Sequence, residues 1–431
     1  MYILFALMQG NFSVIFALQN MQMGGAMKLM NRRTRPITAN PIAVHGRKSW
    51  NHRHFFRSWV VASLCFSGVL SGYSQELPPS HAKTLTASSP DSLLEAQRIV
   101  AEASLHSSNW HGPRSGPAAQ PGKTIVFLAQ DLRNGGILGV AQGVREAAKA
   151  IGWNIKVFDA GGTAAGRSKM MADALAAQPD GVILGGDDAR ENGAALAQFA
   201  SRGLPIVGWH VGSVPGPIAG TAVAMNVTTD PMAVARVTAM SALAQSKGRA
   251  GVVVFTDARF GIAMAKANAM ADIIRACKGC TLLEVRDLAL SESGDKMPGV
   301  TRELLAKYGK RWTHALAIND IYFDYATPVL TKAGLPSNGL SLLSAGDGSM
   351  PAFLRIQARI FQAGTVAEPL NLQGWQVVDE LNRLFARQPV SGFVAPVHLV
   401  TAENIGFDGG KRLLYDPDNG YRDIYRRIWT H

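Results

Sequence analysis

Polar side chains stand directly after several apolar runs of the chain, and their types suit the binding of a small hydroxylated molecule. The set comprises Asp131, Asn134, Trp209, His210, Asn226, Asp257, Arg259, Asn319, Asp320, Asp347 and Glu368. Carboxylates and amides hydrogen-bond well to neighbouring hydroxyls, and an aromatic ring covers an apolar ring face. A phosphate would instead need convergent backbone N–H groups with Lys or Arg. The set therefore predicts a site for a small polar solute.

The same residue types also cap helices, so each position has a structural alternative. For Asp187–Asp188 we favour capping, whereas for Asn319–Asp320 and Asp347 we favour ligand binding. For His210, we favour neither the role of a ligand-binding residue nor that of a polar loop residue over the other. The strand ends are therefore expected to contain both kinds of residue.

A glycine pair in the turn "RNGG" (133–136) lies between a predicted strand and a predicted helix. Phosphate-binding turns occupy the same place, but this one lacks the Gly-x-Gly-x-x-Gly spacing of a dinucleotide site. We therefore expect no cofactor. The glycines are expected to let the backbone approach a ligand closely, while Asn134 supplies hydrogen bonds.

The positions of these polar residues depend on an alternation of apolar strands and amphipathic helices. Short buried strands alternating with helices indicate parallel sheets covered on both faces, and two such runs indicate two doubly wound α/β lobes. Ligands bind beyond the carboxyl ends of such strands. Strands are predicted at 124–129, 154–159, 181–186, 204–209, 250–255, 281–287, 314–319 and 340–347, and helices at 92–104, 165–177, 190–202, 231–246, 262–276, 297–308 and 321–333.

Four phrases between about Lys123 and Ile405 resemble the periplasmic sugar-binding proteins of the ribose-binding type. They are "GVREAAKAIGWNIKVFDAGG", "AAQPDGVILGGDDA", "AINDIYFDYATPVLTKAG" and "SAGDG". The resemblance implies the type I periplasmic binding protein fold, two lobes joined by a hinge of three crossovers near Asn226, Glu368 and Val397. It also implies that the ligand positions are Asn134, Trp209, His210, Asn226, Asn319, Asp347 and Glu368.

The chain departs from that family at three of its ligand positions. Gly135–Gly136 stand where the family often has stacking aromatic residues, and Trp209–His210 stand where ribose binders have Asp-Arg. The ribose binders also have an Arg near the position of Met264. These departures argue against ribose itself as the ligand.

The predicted organisation has five parts. Residues 1–75 are an export signal with a doubtful upstream start, and residues 76–122 are an N-terminal extension. The N-terminal lobe takes 123–225 plus 368–397, and the C-terminal lobe takes 226–367 plus 398–405. Residues 406–431 form a C-terminal extension.

The net charge of +12 comes mainly from the N-terminus, because residues 1–75 hold eight Lys or Arg and no Asp or Glu. The remainder carries only +4 and mixes both signs, which argues against a nucleic-acid-binding face. A basic stretch ending at Arg57, an apolar run from Ser58 to Gly72 and small residues before Gln75 are typical of an export signal. Leu64 before Cys65 argues against a lipoprotein. The expected location is the periplasm.

Cys277 and Cys280 form the pair "CKGC", which ends a predicted helix. In an oxidising compartment we expect a structural disulfide. A redox-active pair would begin a helix, where the thiol pKa is lowered, and remains the alternative. Zinc would need two further ligands at a suitable spacing, so we expect no metal.

The function favoured by the sequence is capture of a sugar-like solute and its delivery to the membrane permease of an ABC importer, by a monomer. A sensor component for a chemoreceptor or histidine kinase is the alternative. A regulator of the lactose-repressor type is remote, because residues 1–122 offer no helix-turn-helix. No Gly-x-Ser-x-Gly elbow or His-Glu-x-x-His motif is present, so we expect no enzyme.

Overall fold

Two sheets of short apolar strands organise the protein, seen in a computed structural model that describes residues 90–430. The predicted export signal at 1–75 and the part of the N-terminal extension before residue 90 lie outside the described residues. Within 90–430, no helix combines the length and the apolar character needed to cross a membrane.

The first sheet has the strand order β2-β1-β3-β4-β5, and all its strands are parallel. Strands β3 and β4 are buried along their whole length because apolar clusters cover both faces of the sheet. We call this sheet and its covering helices the first lobe. Its elements are β1 (Thr124–Ala129), α2 (Gly135–Ile151), β2 (Asn154–Asp159), α3 (Ala164–Ala176), β3 (Gly181–Gly185), α4 (Gly193–Ala200), β4 (Ile206–Trp209), β5 (Val223–Val227), α10 (Leu370–Phe385) and α12 (Tyr421–Thr430).

The second sheet has the order β11-β10-β9-β8-β6-β7, and only its edge strand β11 runs antiparallel to its neighbour among the described strands. We call this sheet and its helices the second lobe. Its elements are α1 (Pro90–Ala103), α5 (Pro231–Ser246), β6 (Gly251–Thr256), α6 (Gly261–Ala276), β7 (Thr281–Asp287), α7 (Ser293–Tyr308), β8 (His314–Ala317), α8 (Ile321–Lys332), β9 (Ser341–Ser344), α9 (Met350–Gln357), β10 (Gln362–Ala367), β11 (His398–Thr401) and α11 (Ile405–Asp408).

The chain passes between the lobes three times within the alternating region, at 228–230, 368–369 and 386–397. The N-terminal extension adds a fourth pass, because Ile99 of α1 packs in the second lobe and Trp110 packs in the first. The C-terminal extension adds a fifth, since Ile405 of α11 packs beside β11 and Trp429 of α12 packs on α10.

Hydrogen bonds hold the two extensions together beside these passes. The His106 Nδ1 atom lies 2.8 Å from an oxygen of the buried Asp408 carboxylate. The Ala119 N–H donates to the Trp429 carbonyl, and Asn404, next to the C-terminal extension, donates its side-chain N–H to the Ser104 carbonyl. The extensions are therefore integral parts of the fold.

The predicted α/β class with two parallel-sheet lobes is confirmed, and the predicted elements agree with the observed ones to within a few residues. Strands β5, β10 and β11 were missed. Asn226 was interpreted as a break, but it lies inside β5, where its backbone is in register with Gly208 of β4. Strands β10 and β11 are short and interrupted by polar residues or Gly, which hides their period.

Candidate functional site

A cavity lies between the lobes at the carboxyl ends of the strands. Its volume is about 50 Å³, well below the roughly 300–1,000 Å³ of most small-molecule pockets. The lobes must therefore part, or side chains move, before it holds more than a water or two. Its polar lining residues are Gln130, Asn134, Trp209, His210, Lys266, Asn319 and Asp347, and its apolar side chains are Ile137, Phe260, Ile262, Ala263, Leu290 and Ile318.

The structure brings five of the eleven residues proposed from sequence to this cavity and places the other six outside its lining. Residues at the cavity are Asn134, Trp209, His210, Asn319 and Asp347. Residues outside its lining are Asp131, Asn226, Asp257, Arg259, Asp320 and Glu368.

A hydrogen-bonded pair, Asn319 and Asp347, forms the polar centre of the second lobe. The Asn319 Nδ2 atom donates to Asp347 Oδ2 at 2.7 Å, while Asn319 Oδ1 accepts from the Ile321 N–H at the start of α8. Burial raises the pKa of Asp347, and the positive charges of His210 and Lys266 partly oppose that rise. The pair thus presents a carboxylate whose orientation is fixed by an amide.

The loop that carries Asp347 is held by hydrogen bonds to Asp320. The Asp320 carboxylate accepts from the Gly348 N–H at 2.8 Å and from the Ser349 N–H at 3.2 Å, and its other oxygen accepts from Gln362. Asp320 therefore holds the Asp347 loop from a position outside the cavity lining.

The Gly135–Gly136 pair gives the two lobes a close contact. A methyl group on Gly136 would overlap the Asp347 carboxylate of the opposite lobe, and one on Gly135 would lie 2.8 Å from Ser349 Cβ. The Asn134 side-chain oxygen caps α2 by accepting from the Gly136 and Ile137 N–H groups. Here the glycines admit the other lobe, and Asn134 reaches the cavity while it begins a helix.

His210 contacts groups from both lobes and from the hinge. Its ring stacks on Trp209 with centroids 3.9 Å apart and planes 5° apart, and its backbone has a φ of 54°. Its Nδ1 lies 3.9 Å from an Asp347 oxygen, and its buried Nε2 lies 3.4 Å from Glu368 Oε1, without hydrogen-bond alignment. The imidazole thus stands between two carboxylates, and its buried Nε2 has no aligned hydrogen-bond partner.

Glu368 lies in the hinge at the second pass between the lobes. It accepts from the Thr229 hydroxyl at 2.6 Å and from Gln373 Nε2 at 2.5 Å, and Gln373 in turn accepts from the Trp209 indole. Burial opposes ionisation, but the positive charges of His210 and Lys266 and the Thr229 hydrogen bond lower the pKa of Glu368 to about 2. Glu368 is therefore an ionised carboxylate that joins two of the passes.

Lys266 is the charged residue of the cavity that the sequence interpretation missed. It lies on α6, is almost fully buried, and donates to the Ala345 carbonyl at 2.7 Å. The positive charge of Lys266 acts to lower the pKa of the Asp347 and Glu368 carboxyls. A single Lys within the apolar phrase "GIAMAKANAM" was the available signal, two residues from the Met264 position compared with the family's Arg.

One Asp-x-Arg turn follows the first strand of each lobe, and the Asp and Arg of each turn are hydrogen-bonded to each other. The Asp131 carboxylate accepts from the backbone and guanidinium of Arg133, and the Asp257 carboxylate does the same with Arg259, each at 2.6 Å for its shortest contact. The cavity is lined instead by the neighbours of these turn residues, Gln130 beside Asp131 and Phe260 beside Arg259.

Asn226 in β5 serves as a backbone clamp. Its Oδ1 accepts from the Val211 N–H at 3.0 Å, and its Nδ2 donates to the Gly212 and Val214 carbonyls. The loop after β4, which includes His210, is thus tied to the edge strand of the first sheet.

The Cys277 and Cys280 sulfur atoms are bonded at 2.10 Å. They lie between the end of α6 and the start of β7, at the edge of the second sheet away from the cavity. In residues 90–430, no group of three or more His, Cys, Asp or Glu side chains is arranged to hold a metal ion.

Two parallel-sheet lobes with a shared cavity and repeated crossings define a two-lobed ligand-binding fold. The family model described as "Periplasmic binding protein domain" matches residues 125–388, more than half of the chain. The protein therefore belongs to the periplasmic binding protein family. Among curated proteins there is no sequence match.

Solved structures with similar folds include three bacterial transport proteins. An ABC transporter solute-binding protein from Agrobacterium vitis with bound allitol is 18% identical, with a TM-score of 0.57 over 66% of this chain and 97% of that one. Another from Agrobacterium vitis, bound with alpha-D-tagatopyranose, is 14% identical, with a TM-score of 0.61 over 68% and 99%. A sugar ABC transporter protein from Yersinia enterocolitica is 17% identical, with a TM-score of 0.59 over 72% and 96%.

Proposed function

We propose that this protein is an exported solute-binding protein that captures a sugar or sugar-like polyol between its lobes. The observation that carries the proposal is the cavity between the lobes, where Asn319, Asp347 and Lys266 of one lobe face Asn134 and His210 of the other. Carboxylate, amide and ammonium groups together match the donors and acceptors of neighbouring hydroxyls. The allitol and tagatopyranose bound by two similar structures support this class of ligand.

Ligand capture works through closure of the lobes. A solute that contacts both lobes stabilises the closed arrangement in proportion to its preference for that arrangement. Asp347 and His210 are suited to this coupling, because one belongs to the second lobe, the other to the first, and Glu368 of the hinge lies beside His210. Glu368 acts on closure without touching the solute.

Delivery to the membrane permease of an ABC importer, from a periplasmic location, completes the proposal. The family and the three transport proteins with similar folds support it. Binding without catalysis, a monomeric state and the lack of a nucleic-acid partner are part of the same proposal. The mixed charge of the chain after residue 75 supports the last of these.

Thermal unfolding of the exported chain against a panel of sugars and polyols tests the ligand class. A true ligand at a hundred times its dissociation constant stabilises the protein by roughly 2.7 kcal/mol. We expect one or a few panel members, with allitol and D-tagatose included, to raise the unfolding temperature. A panel in which no sugar or polyol has an effect contradicts the proposed function.

Two cellular measurements test the location and the delivery. N-terminal sequencing of the protein from a periplasmic fraction should find a start near Gln75. Uptake of the labelled ligand should be lost when the gene is deleted and restored by the unmodified gene. An intact Met1 in the cytosol contradicts export, and unchanged uptake contradicts delivery.

A further inference from the structure

The polarity of the cavity changes along the edge of the second sheet. The order β9-β8-β6-β7 places Asp347 after β9 and Asn319 after β8, whereas Phe260 follows β6 and Leu290 follows β7. All four residues line the cavity. One half of this lobe's lining is therefore polar, and the half toward β7 is apolar.

The apolar half contains Phe260 and Ile262 at the start of α6 and Leu290 in the turn after β7. Ile137 of the first lobe also lines the cavity. Together they offer aliphatic and aromatic carbon, which gains from contact with a methyl group and offers no partner to a hydroxyl.

The charged groups closest to this half are directed elsewhere. The Asp257 carboxylate accepts from Arg259 and from the Leu290 N–H, so it is engaged within its own turn. The Lys266 ammonium donates to the Ala345 carbonyl and lies on the side of the Asp347 loop. Among the second-lobe residues that line the cavity, the polar ones follow β8 and β9 or, like Lys266, are directed to that side, so a hydroxyl directed at Phe260 and Leu290 would find no partner in that lobe.

We propose that the preferred solute is a deoxy sugar, a polyhydroxylated ring that ends in a methyl group. Its hydroxyls face Asn319, Asp347 and His210, and its methyl group faces Phe260 and Leu290. This inference rests on the proposed function and names the substrate class of the same cavity. The corresponding hydroxymethyl sugar has to bury one oxygen against carbon, which costs it roughly ten- to a hundredfold in affinity.

Matched pairs of sugars test the inference, since each pair differs only at one terminal carbon. The probes are L-rhamnose with L-mannose, L-fucose with L-galactose, D-fucose with D-galactose, and quinovose with D-glucose, measured by calorimetry on the exported chain. We expect the methyl member of the bound pair to be tighter by roughly ten- to a hundredfold.

Equal or tighter binding of the hydroxymethyl members overturns the inference and leaves the proposed function standing. Binding of fully hydroxylated sugars or polyols, with no pair showing a preference for the methyl member, likewise overturns the inference and not the proposed function. No binding by any sugar or polyol overturns the proposed function and the inference together.

A matched pair of variants locates the selectivity. Leu290→Asn places a hydrogen-bonding group of similar shape in the apolar half, so it should reduce the methyl preference to within about threefold by giving the extra hydroxyl a partner. Leu138→Asn makes the same change on the exposed face of α2, outside the cavity lining, and should leave the preference intact. An unchanged preference in Leu290→Asn overturns the assignment of the methyl group to this half.

Discussion

Acidic residues end strands in both lobes, yet they fall into two groups with opposite surroundings. Asp347 faces the other lobe across the cavity and is held by Asn319. Asp131 and Asp257 fold back onto Arg133 and Arg259 and leave the cavity to their neighbours. The same residue type at the same kind of position therefore lines the cavity in one place and holds a turn in another, and the hydrogen-bond partner decides which.

Glu368 extends the comparison to the hinge, and its replacement should have the largest effect. The pKa of Glu368 lies at about 2, below the ordinary value of 4.5. A carboxyl with a lowered folded pKa stabilises the protein above its unfolded pKa, and this stabilisation is lost as pH falls toward the folded value. A difference of about 2.5 units, from 4.5 down to about 2, corresponds to about 3 kcal/mol.

We therefore expect Glu368→Gln to unfold more easily than the unmodified protein at pH 7, with a gap that narrows as pH falls below about 4.5. Urea denaturation between neutral pH and about pH 3 measures the gap. A gap that stays constant over this range would show that the charge of Glu368 does not contribute to stability.

Asp347→Asn and Asp257→Asn test this difference directly, because both variants make the same change. Loss of the Asp347 charge should weaken solute binding by roughly ten- to a hundredfold, since a buried ligand hydroxyl loses a charged acceptor. Asp257→Asn should leave the affinity within about twofold, because its carboxylate faces Arg259. Equal losses of affinity in the two variants would end the distinction between cavity and turn residues.

The turn residues should instead affect stability. Asp257 is buried and accepts from Arg259 and from the Leu290 N–H. Asp257→Asn should lower the free energy of unfolding by about 1–2 kcal/mol, because it weakens charge-assisted hydrogen bonds to a buried group. Asp131→Asn, the equivalent change in the first lobe, serves as the internal comparison in the same urea titration. Unchanged stability in both variants would contradict the structural role of the turns.

The sequence could predict the α/β fold because buried strands and amphipathic helices alternate with clear periods. It could also predict Asn319 and Asp347 as residues near the cavity. Asn319 belongs to the Asn-Asp motif after one apolar strand, and Asp347 belongs to the Gly-Asp-Gly motif after another, both shared with a known family. It could not separate Gln130 from Asp131 or Phe260 from Arg259, because a one-residue difference in a turn decides which side chain faces the cavity. Turn geometry depends on hydrogen bonds to residues distant in sequence, such as Leu290 with Asp257.

Lys266 shows the same limit from within a helix. Its spacing from Ala263 and Met270 places it on the apolar face, where a charged residue needs a partner that only the folded lobe provides. That partner is a backbone carbonyl on another loop, Ala345, with the carboxylates of Asp347 and Glu368 nearby. The role of the extensions in crossing between lobes likewise depends on contacts, such as His106 with Asp408, that no local pattern indicates.

The disulfide between Cys277 and Cys280 provides the smallest expected effect and a control far from the cavity. The last residue of helix α6 that lines the cavity is Lys266, and Cys277 follows the end of this helix at Ala276, which puts the bond roughly 17 Å along the helix axis from Lys266. Because the bond closes a loop of only four residues, the double variant Cys277→Ser/Cys280→Ser should lose at most about 2 kcal/mol of stability. Solute affinity should stay unchanged, as should the affinity of the unmodified protein after reduction. Thiol titration of the purified protein without reductant should find no free thiol in this pair. Two reactive thiols with a lowered pKa, together with a redox-dependent affinity, would favour the redox alternative and would connect this edge of the sheet to the cavity.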